Sequence, residues 1–93
     1  MLDKEMREMP IVSKFYGIVI MMFFDDHNPP HFHAKYNEFQ ASVRISDLAV
    51  MNGSLPPKAL GLVVEWAALH QDELMLNWEY SQHGKELLKI QAL

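Results

Sequence analysis

The sequence predicts an α+β domain: a small antiparallel sheet of three to five strands, then one long C-terminal helix packed on one face. Two observations predict it. From Ile11 to about Met51 the chain is strand-like, rich in β-branched and aromatic residues and punctuated by turn formers, whereas from Pro57 to about Gln82 its apolar positions recur at helical spacing. Strands first and a helix afterwards place the helix on one side of an antiparallel sheet. The length of 93 residues suits one domain. Met1 to Glu8 is mostly charged and reads as a polar N-terminal extension (residues 1–8), with the single domain over residues 9–93.

Tyr16 to Phe24 reads as a strand that is apolar on both alternating sets, Ile18, Ile20, Met22 and Phe24 on one and Val19, Met21 and Phe23 on the other. A strand covered on one side only alternates apolar with polar, so this one is either central and covered twice or has a face waiting for a partner. Two prolines together with Asp and Asn make Asp25 to Pro30 a loop.

His31–Tyr36 and Phe39–Ile45 then form a hairpin about Asn37-Glu38. That register pairs Tyr36 with Phe39, Ala34 with Ala41 and Phe32 with Val43, all apolar; the other face pairs Lys35 with Gln40, His33 with Ser42 and His31 with Arg44, all polar. A register error would mix the two sets. A short fourth strand is expected over Leu48 to Met51. Gly53-Ser54-Leu55-Pro56-Pro57 announces a helix start, because proline is favoured in the first turn. The helix runs to Gln82, continuous or bent near His70–Asp72, with Gly84 as its stop, and a short strand over Leu87 to Ile90 closes the chain.

An apolar fraction of 49% is ordinary for a folded core. With no cysteine, disulfides, zinc–thiolate sites and thiol nucleophiles are excluded. No run of about 18 uncharged apolar residues exists, so no membrane span is expected and a cytoplasmic location is the default. The formal charge is −4 and the basic residues are scattered, which argues against duplex binding by this chain alone.

The chemically loaded segment is Asp25-Asp26-His27-Asn28-Pro29-Pro30-His31-Phe32-His33. Strand alternation puts His31, His33 and Lys35 on one face and Phe32, Ala34 and Tyr36 on the other, core, face. Two imidazoles two residues apart can share a divalent transition metal such as zinc, with His27 as a third nitrogen and Asp26 or Asp25 as a carboxylate partner. Two other readings compete. The imidazoles can be structural, holding the proline loop against the sheet. Alternatively, His31 and His33, beside Arg44 and Lys35, can bind a phosphate and move protons as a metal-free acid–base pair. Val19, Met21 and Phe23 share the histidine face and are the candidate interface. Trp66 and Trp78 read as core anchors and His70 as a satisfied core histidine rather than a further ligand. Glu65, Asp72, Glu73 and Glu79 read as a solvated helix flank.

The runs Phe15-Tyr16-Gly17-Ile18-Val19-Ile20 and Asp26-His27-Asn28-Pro29-Pro30-His31-Phe32-His33-Ala34 resemble the bacterial DUF4160 family, as do Gly53-Ser54-Leu55-Pro56, Glu65-Trp66-Ala67, Leu69-His70 and Asn77-Trp78. The resemblance covers roughly Met9 to Leu93. It implies a small bacterial protein without an assigned activity, often encoded beside a DUF2442 domain in an arrangement similar to toxin–antitoxin pairs. A polar residue, often Arg, is usual in the family where this chain has Met21, which weakens any site built around a cation there. The leading expectation is a binding or regulatory module acting with a small protein partner or as a homo-oligomer, through the His27, His31 and His33 face. Nucleic acid would be reached only through that partner. The alternatives are a small hydrolase or nuclease using the same residues, and a purely structural interaction protein.

Overall fold

The computed structural model describes residues 10–93; the polar extension expected over residues 1–8 lies outside them. Five strands, β1 (Ile11–Phe15), β2 (Ile18–Met21), β3 (His31–Tyr36), β4 (Phe39–Arg44) and β5 (Val50–Ser54), precede two helices, α1 (Pro57–Leu69) and α2 (Gln71–Gln82). The strands form one antiparallel sheet in chain order. Each connection is therefore a hairpin or short loop, and no crossover is needed. No helix among the described residues is long and apolar enough to cross a membrane.

All six pairs expected for the β3–β4 hairpin occur, from His31 with Arg44 to Tyr36 with Phe39. Asn37, at φ 52°, supplies the left-handed residue that so tight a turn demands. The long strand expected over Tyr16 to Phe24 is shorter, because Tyr16 and Gly17 both turn left-handed (φ 51° and 80°) and link β1 to β2. β5 starts later than the strand expected at Leu48, since Arg44 to Ala49 forms a turn closed by Leu48 N–H on Arg44 O (2.8 Å) and Arg44 N–H on Ala49 O (2.9 Å).

Gly53 falls inside β5 rather than at the helix start, and its role is steric. It sits at φ 74°, and a Cβ there would lie 2.1 Å from the Gln40 carbonyl oxygen. Gly53→Ala is expected to cost about 2 kcal/mol or more, from left-handed strain plus displacement of β4. Urea denaturation checks this; an unchanged midpoint would show that the backbone relaxes freely.

Of the two forms expected, a helix continuous to Gln82 or one bent near His70–Asp72, the second is nearer: the chain breaks at His70 into two separate helices. His70 (φ −131°, ψ 25°) ends α1 and begins α2, its N–H bonding Ala67 O and its carbonyl accepting from Leu74 N–H. No proline or glycine causes the break. The cause is tertiary: Gln71 Nε2 donates to Ile45 O at 2.8 Å and pins the corner to the sheet. The His70 ring lies 5.4 Å from Trp66, and its Nδ1 meets the Glu73 carboxylate, so His70 is the satisfied histidine expected. Glu65, Asp72, Glu73 and Glu79 are all exposed.

The core lies between one sheet face and both helices, with Phe15, Ile20, Met22, Phe32 and Val43 meeting Val63, Trp66, Leu74 and Trp78. The strand expected over Leu87–Ile90 is absent; the tail is held instead by isolated bonds. Asn77 grips Leu88 through both Nδ2 to O (2.8 Å) and Oδ1 from N–H (2.9 Å), while Ile90 N–H reaches Val12 O (2.8 Å). The tail thereby covers the β1 edge of the sheet.

Candidate metal centre

The loop between β2 and β3 carries Asp26 to the start of β3, and its backbone is fastened on both sides. Asp25 N–H donates to Ser81 O (3.2 Å), Gln82 Nε2 donates to Asp26 O (3.1 Å), and Ile45 N–H donates to Pro30 O (3.0 Å). These bonds aim the Asp26 carboxylate back over the first residues of β3.

There, one oxygen, Asp26 Oδ2, stands 3.0 Å from His31 Nε2 and 3.0 Å from His33 Nε2. The other, Oδ1, accepts from the His27 backbone N–H at 2.9 Å and lies 3.1 Å from His27 Nδ1. Asp26, His31 and His33 can each offer a ligand atom with all three within 4.8 Å of one another. His27 stays outside that group, its side chain 83% exposed.

Sequence alternation places His31 and His33 together on the polar face, away from the interior. They do converge, but His31 is only 2% exposed. The physical reason is its place at the very start of β3, under the docked loop and 5.4 Å from the Trp78 ring of α2. His33 remains at the rim, stacked on Phe23 with ring centroids 4.2 Å apart. Met21 lies opposite His33, and Val19 opposite Lys35, so the candidate interface residues do share the histidine face. Arg44 is opposite His31 in register but turns to Asp47, with bonds of 3.0 and 3.2 Å, and Lys35 donates to Asn37 O. Neither cation points its charge at the triad. Asp25, left-handed at φ 57° and exposed, is not part of it either.

The tautomer of His31 follows from its neighbours. Its Nδ1 is 2.7 Å from Pro29 O, and a carbonyl can only accept, so Nδ1 carries the proton. In the neutral ring, Nε2 then presents a lone pair to a carboxylate oxygen. Two acceptors 3.0 Å apart require a shared proton or a metal ion between them. His33 has the same option, since Nδ1 lies 3.3 Å from Ser42 Oγ and can donate to it, leaving Nε2 free.

Electrostatics favour the ligand forms. Burial, the largest influence, raises the Asp26 pKa, but the His33 hydrogen bond, the His27 backbone N–H and the charges of His31 and His33 together bring it below the usual carboxylate value. Burial first, then the charges of His31 and His27, lower the His33 pKa against the opposing pull of Asp26. Both signs make the metal-free protein acid-sensitive. Below the ordinary histidine value of 6.5 the unfolded chain takes a proton that folded His33 resists. Below the ordinary aspartate value of 3.8 unfolded Asp26 does the same. Urea midpoints of metal-free protein should therefore fall from pH 7 to 5, and His33→Gln should flatten that slope.

Comparison with known families adds one result. The model of the family described as Domain of unknown function (DUF4160) matches residues 17–79, well over half the chain. This chain belongs to the DUF4160 family. No curated protein and no solved structure matches it. The matched span of this DUF4160 protein contains Asp26, His31, His33, Ser42 and Trp78, and so holds the whole cluster. Sequence reasoning missed Trp78 as the wall behind His31; Phe23, expected on the histidine face, is the ring stacked on His33. The His33–Ser42 pairing in the hairpin puts Ser42 beside His33 from sequence alone, though nothing there marks it as a nucleophile.

Proposed function

We propose that this DUF4160 protein is a metal-dependent binding module, holding one divalent transition ion through Asp26 Oδ2, His31 Nε2 and His33 Nε2. The observation that carries this reading is the Pro29 carbonyl on His31 Nδ1, which turns the opposite lone pair onto a carboxylate oxygen. A backbone carbonyl on the distal nitrogen of a histidine is the usual way a ligand imidazole is oriented. Ligand atoms about 2.0–2.1 Å from one ion stand about 3.0 Å apart at right angles and about 3.4 Å apart at tetrahedral angles. The 3.0 Å separations on Asp26 Oδ2 fit that range. Two histidines and one carboxylate leave coordination positions open, as in zinc or non-haem iron sites.

The ion's work is to stiffen a recognition face. It would lock the loop of Asp25 to Pro30 onto β3, beside the half-buried Phe23 and Val19 and above the buried Met21, where a small protein partner of the DUF2442 kind implied by the resemblance would seat. Metal analysis of protein purified without a polyhistidine tag tests the centre. Near-stoichiometric zinc or another transition metal, lost in a His31→Ala/His33→Ala double variant, is expected. Protein that neither retains such a metal nor takes up zinc or cobalt at micromolar concentration would falsify it.

A second reading rests on the line from Ser42 Oγ to His33 Nδ1 (3.3 Å) and from His33 Nε2 to Asp26 Oδ2 (3.0 Å). Ser42 and His33 also line a hollow of about 300 Å³ with Gln40, Ala41, Asn52 and Gly53. In a hydrolase, Ser42 Oγ would attack an acyl or phosphoryl centre while His33 Nδ1 took its proton and returned it to the departing alcohol, and water would then release the group from Ser42. The two readings exclude each other at His33, whose Nε2 cannot both ligate and donate. Ester or phosphodiester hydrolysis lost in Ser42→Ala would favour the second; activity surviving that change removes it.

A further inference from the structure

Helix α1 buries Ala59, Val63, Trp66 and Ala67 and turns Lys58, Gly61 and Glu65 outward, with Leu62 half-buried at the edge of the core. Glycine in mid-helix is unfavourable, and around Gly61 there is nothing for a side chain to collide with: a Cβ would meet no atom within 4 Å. Nothing among the described residues therefore requires glycine at that position. Lys58 and Glu65 bracket it two turns apart. The ion pairs among the described residues lie elsewhere, on Asp26, Arg44–Asp47 and His70–Glu73, leaving both charges without a partner there. Lys58, Leu62 and Glu65 also border a largely apolar groove of about 560 Å³, walled by Tyr16, Tyr36 and Leu93, at the end of the sheet away from the histidines. Beyond it, Leu69 is 68% exposed.

We infer that α1 is the contact of a twofold homodimer in which it packs antiparallel on its copy. The pattern is self-complementary. When Lys58 faces Glu65 of the second copy, Glu65 necessarily faces that copy's Lys58, as a twofold axis requires. The same register sets Leu62 of each copy against Gly61 of the other, so the missing side chain becomes the hollow that receives the leucine. Small residues let two helix backbones approach closely, and this contact gives the mid-helix glycine a reason to be there. Opposite charges on the exposed face match a second copy of this surface in sign. The dimer is independent of the histidine cluster and holds whether or not a metal is bound.

Sedimentation of the full chain tests it through charge reversal. Wild type should dimerise, and Lys58→Glu and Glu65→Lys should each weaken the dimer at least tenfold. The double reversal should return it to within about threefold of wild type, since the pairs re-form with signs exchanged. Gly61→Gln should also remove the dimer while raising the thermal midpoint of dilute, monomeric protein by a few degrees, because the helix gains a better former. A wild type that stays monomeric near millimolar concentration overturns the inference. So does a dimer indifferent to the single reversals, or one that they break and the double reversal fails to restore.

Discussion

Asp26→Asn should weaken zinc or cobalt binding by at least about 100-fold while leaving the protein folded. Changes to partners one step removed from a metal typically cost 10–100-fold, so loss of an anionic ligand should reach or exceed that range. The substituted amide keeps an oxygen to accept the His27 backbone N–H, which in the native chain falls on Oδ1 at 2.9 Å. The loop also keeps its bonds to Ser81 and Gln82, which use backbone atoms of Asp25 and Asp26. What disappears is the negative oxygen between His31 and His33. His27→Ala is the control: that ring is 83% exposed on the Oδ1 side, and its removal should change affinity only a few-fold. Competition against a chromogenic chelator reads both. Equal affinity in Asp26→Asn and wild type would take Asp26 out of the coordination sphere.

The hairpin that carries the histidines was legible because two independent patterns agree on one register. Keeping an apolar set and a polar set apart, three pairs each, excludes any slip by one residue, the two-residue turn at Asn37-Glu38 excludes slips by two, and the pairing left is the observed one. The convergence of His31 and His33 followed from the same alternation. The burial of His31 did not, because it depends on α2 and on a loop docked through Ser81 and Gln82, some fifty residues away in sequence. Sequence reasoning named Asp26 as the carboxylate of the site, but the physical reason for preferring it to Asp25 was not visible there. The two are chemically identical neighbours, and only the left-handed turn at Asp25 decides which carboxylate faces the imidazoles.

The cause of the helix break and the strand ends were illegible for related reasons. The corner at His70 has no local breaker, and a glutamine side chain bonded to Ile45 O makes it. β1 was hidden inside a general strand-like stretch, because its pairing shifts between Ile11 and Ser13 and so blurs the alternation. The C-terminal tail resembles a strand because Leu87 to Ile90 is apolar-rich, yet Asn77 and Trp66 side chains supply the bonds a ladder would have made. Local pattern reveals an element whose partners lie nearby; side chains arriving from elsewhere leave no such trace.

The two tryptophans, both read from sequence as core anchors, should separate stability from site. Trp66 is fully buried, with Phe15, Phe32 and His70 at ring distances of 5.4, 5.9 and 5.4 Å, and its Nε1–H donates to Gln91 O at 2.8 Å. Trp66→Ala should cost about 3–5 kcal/mol, from the lost contacts and the cavity between sheet and helix. Against a total of about 5–15 kcal/mol for a domain, that removes a large share of its stability. At about 4–8 °C per kcal/mol the thermal midpoint should fall by well over ten degrees. Trp66→Phe keeps most of the ring but releases Gln91, so its effect should be smaller and should concentrate in protease sensitivity of the tail. Trp78 is different because its ring also backs His31. Trp78→Ala should lower stability and metal affinity together, whereas Trp66→Ala should leave the affinity of the still-folded fraction unchanged. If both changes altered affinity alike, the site would depend only on the integrity of the core, and the specific support of His31 by α2 would be wrong.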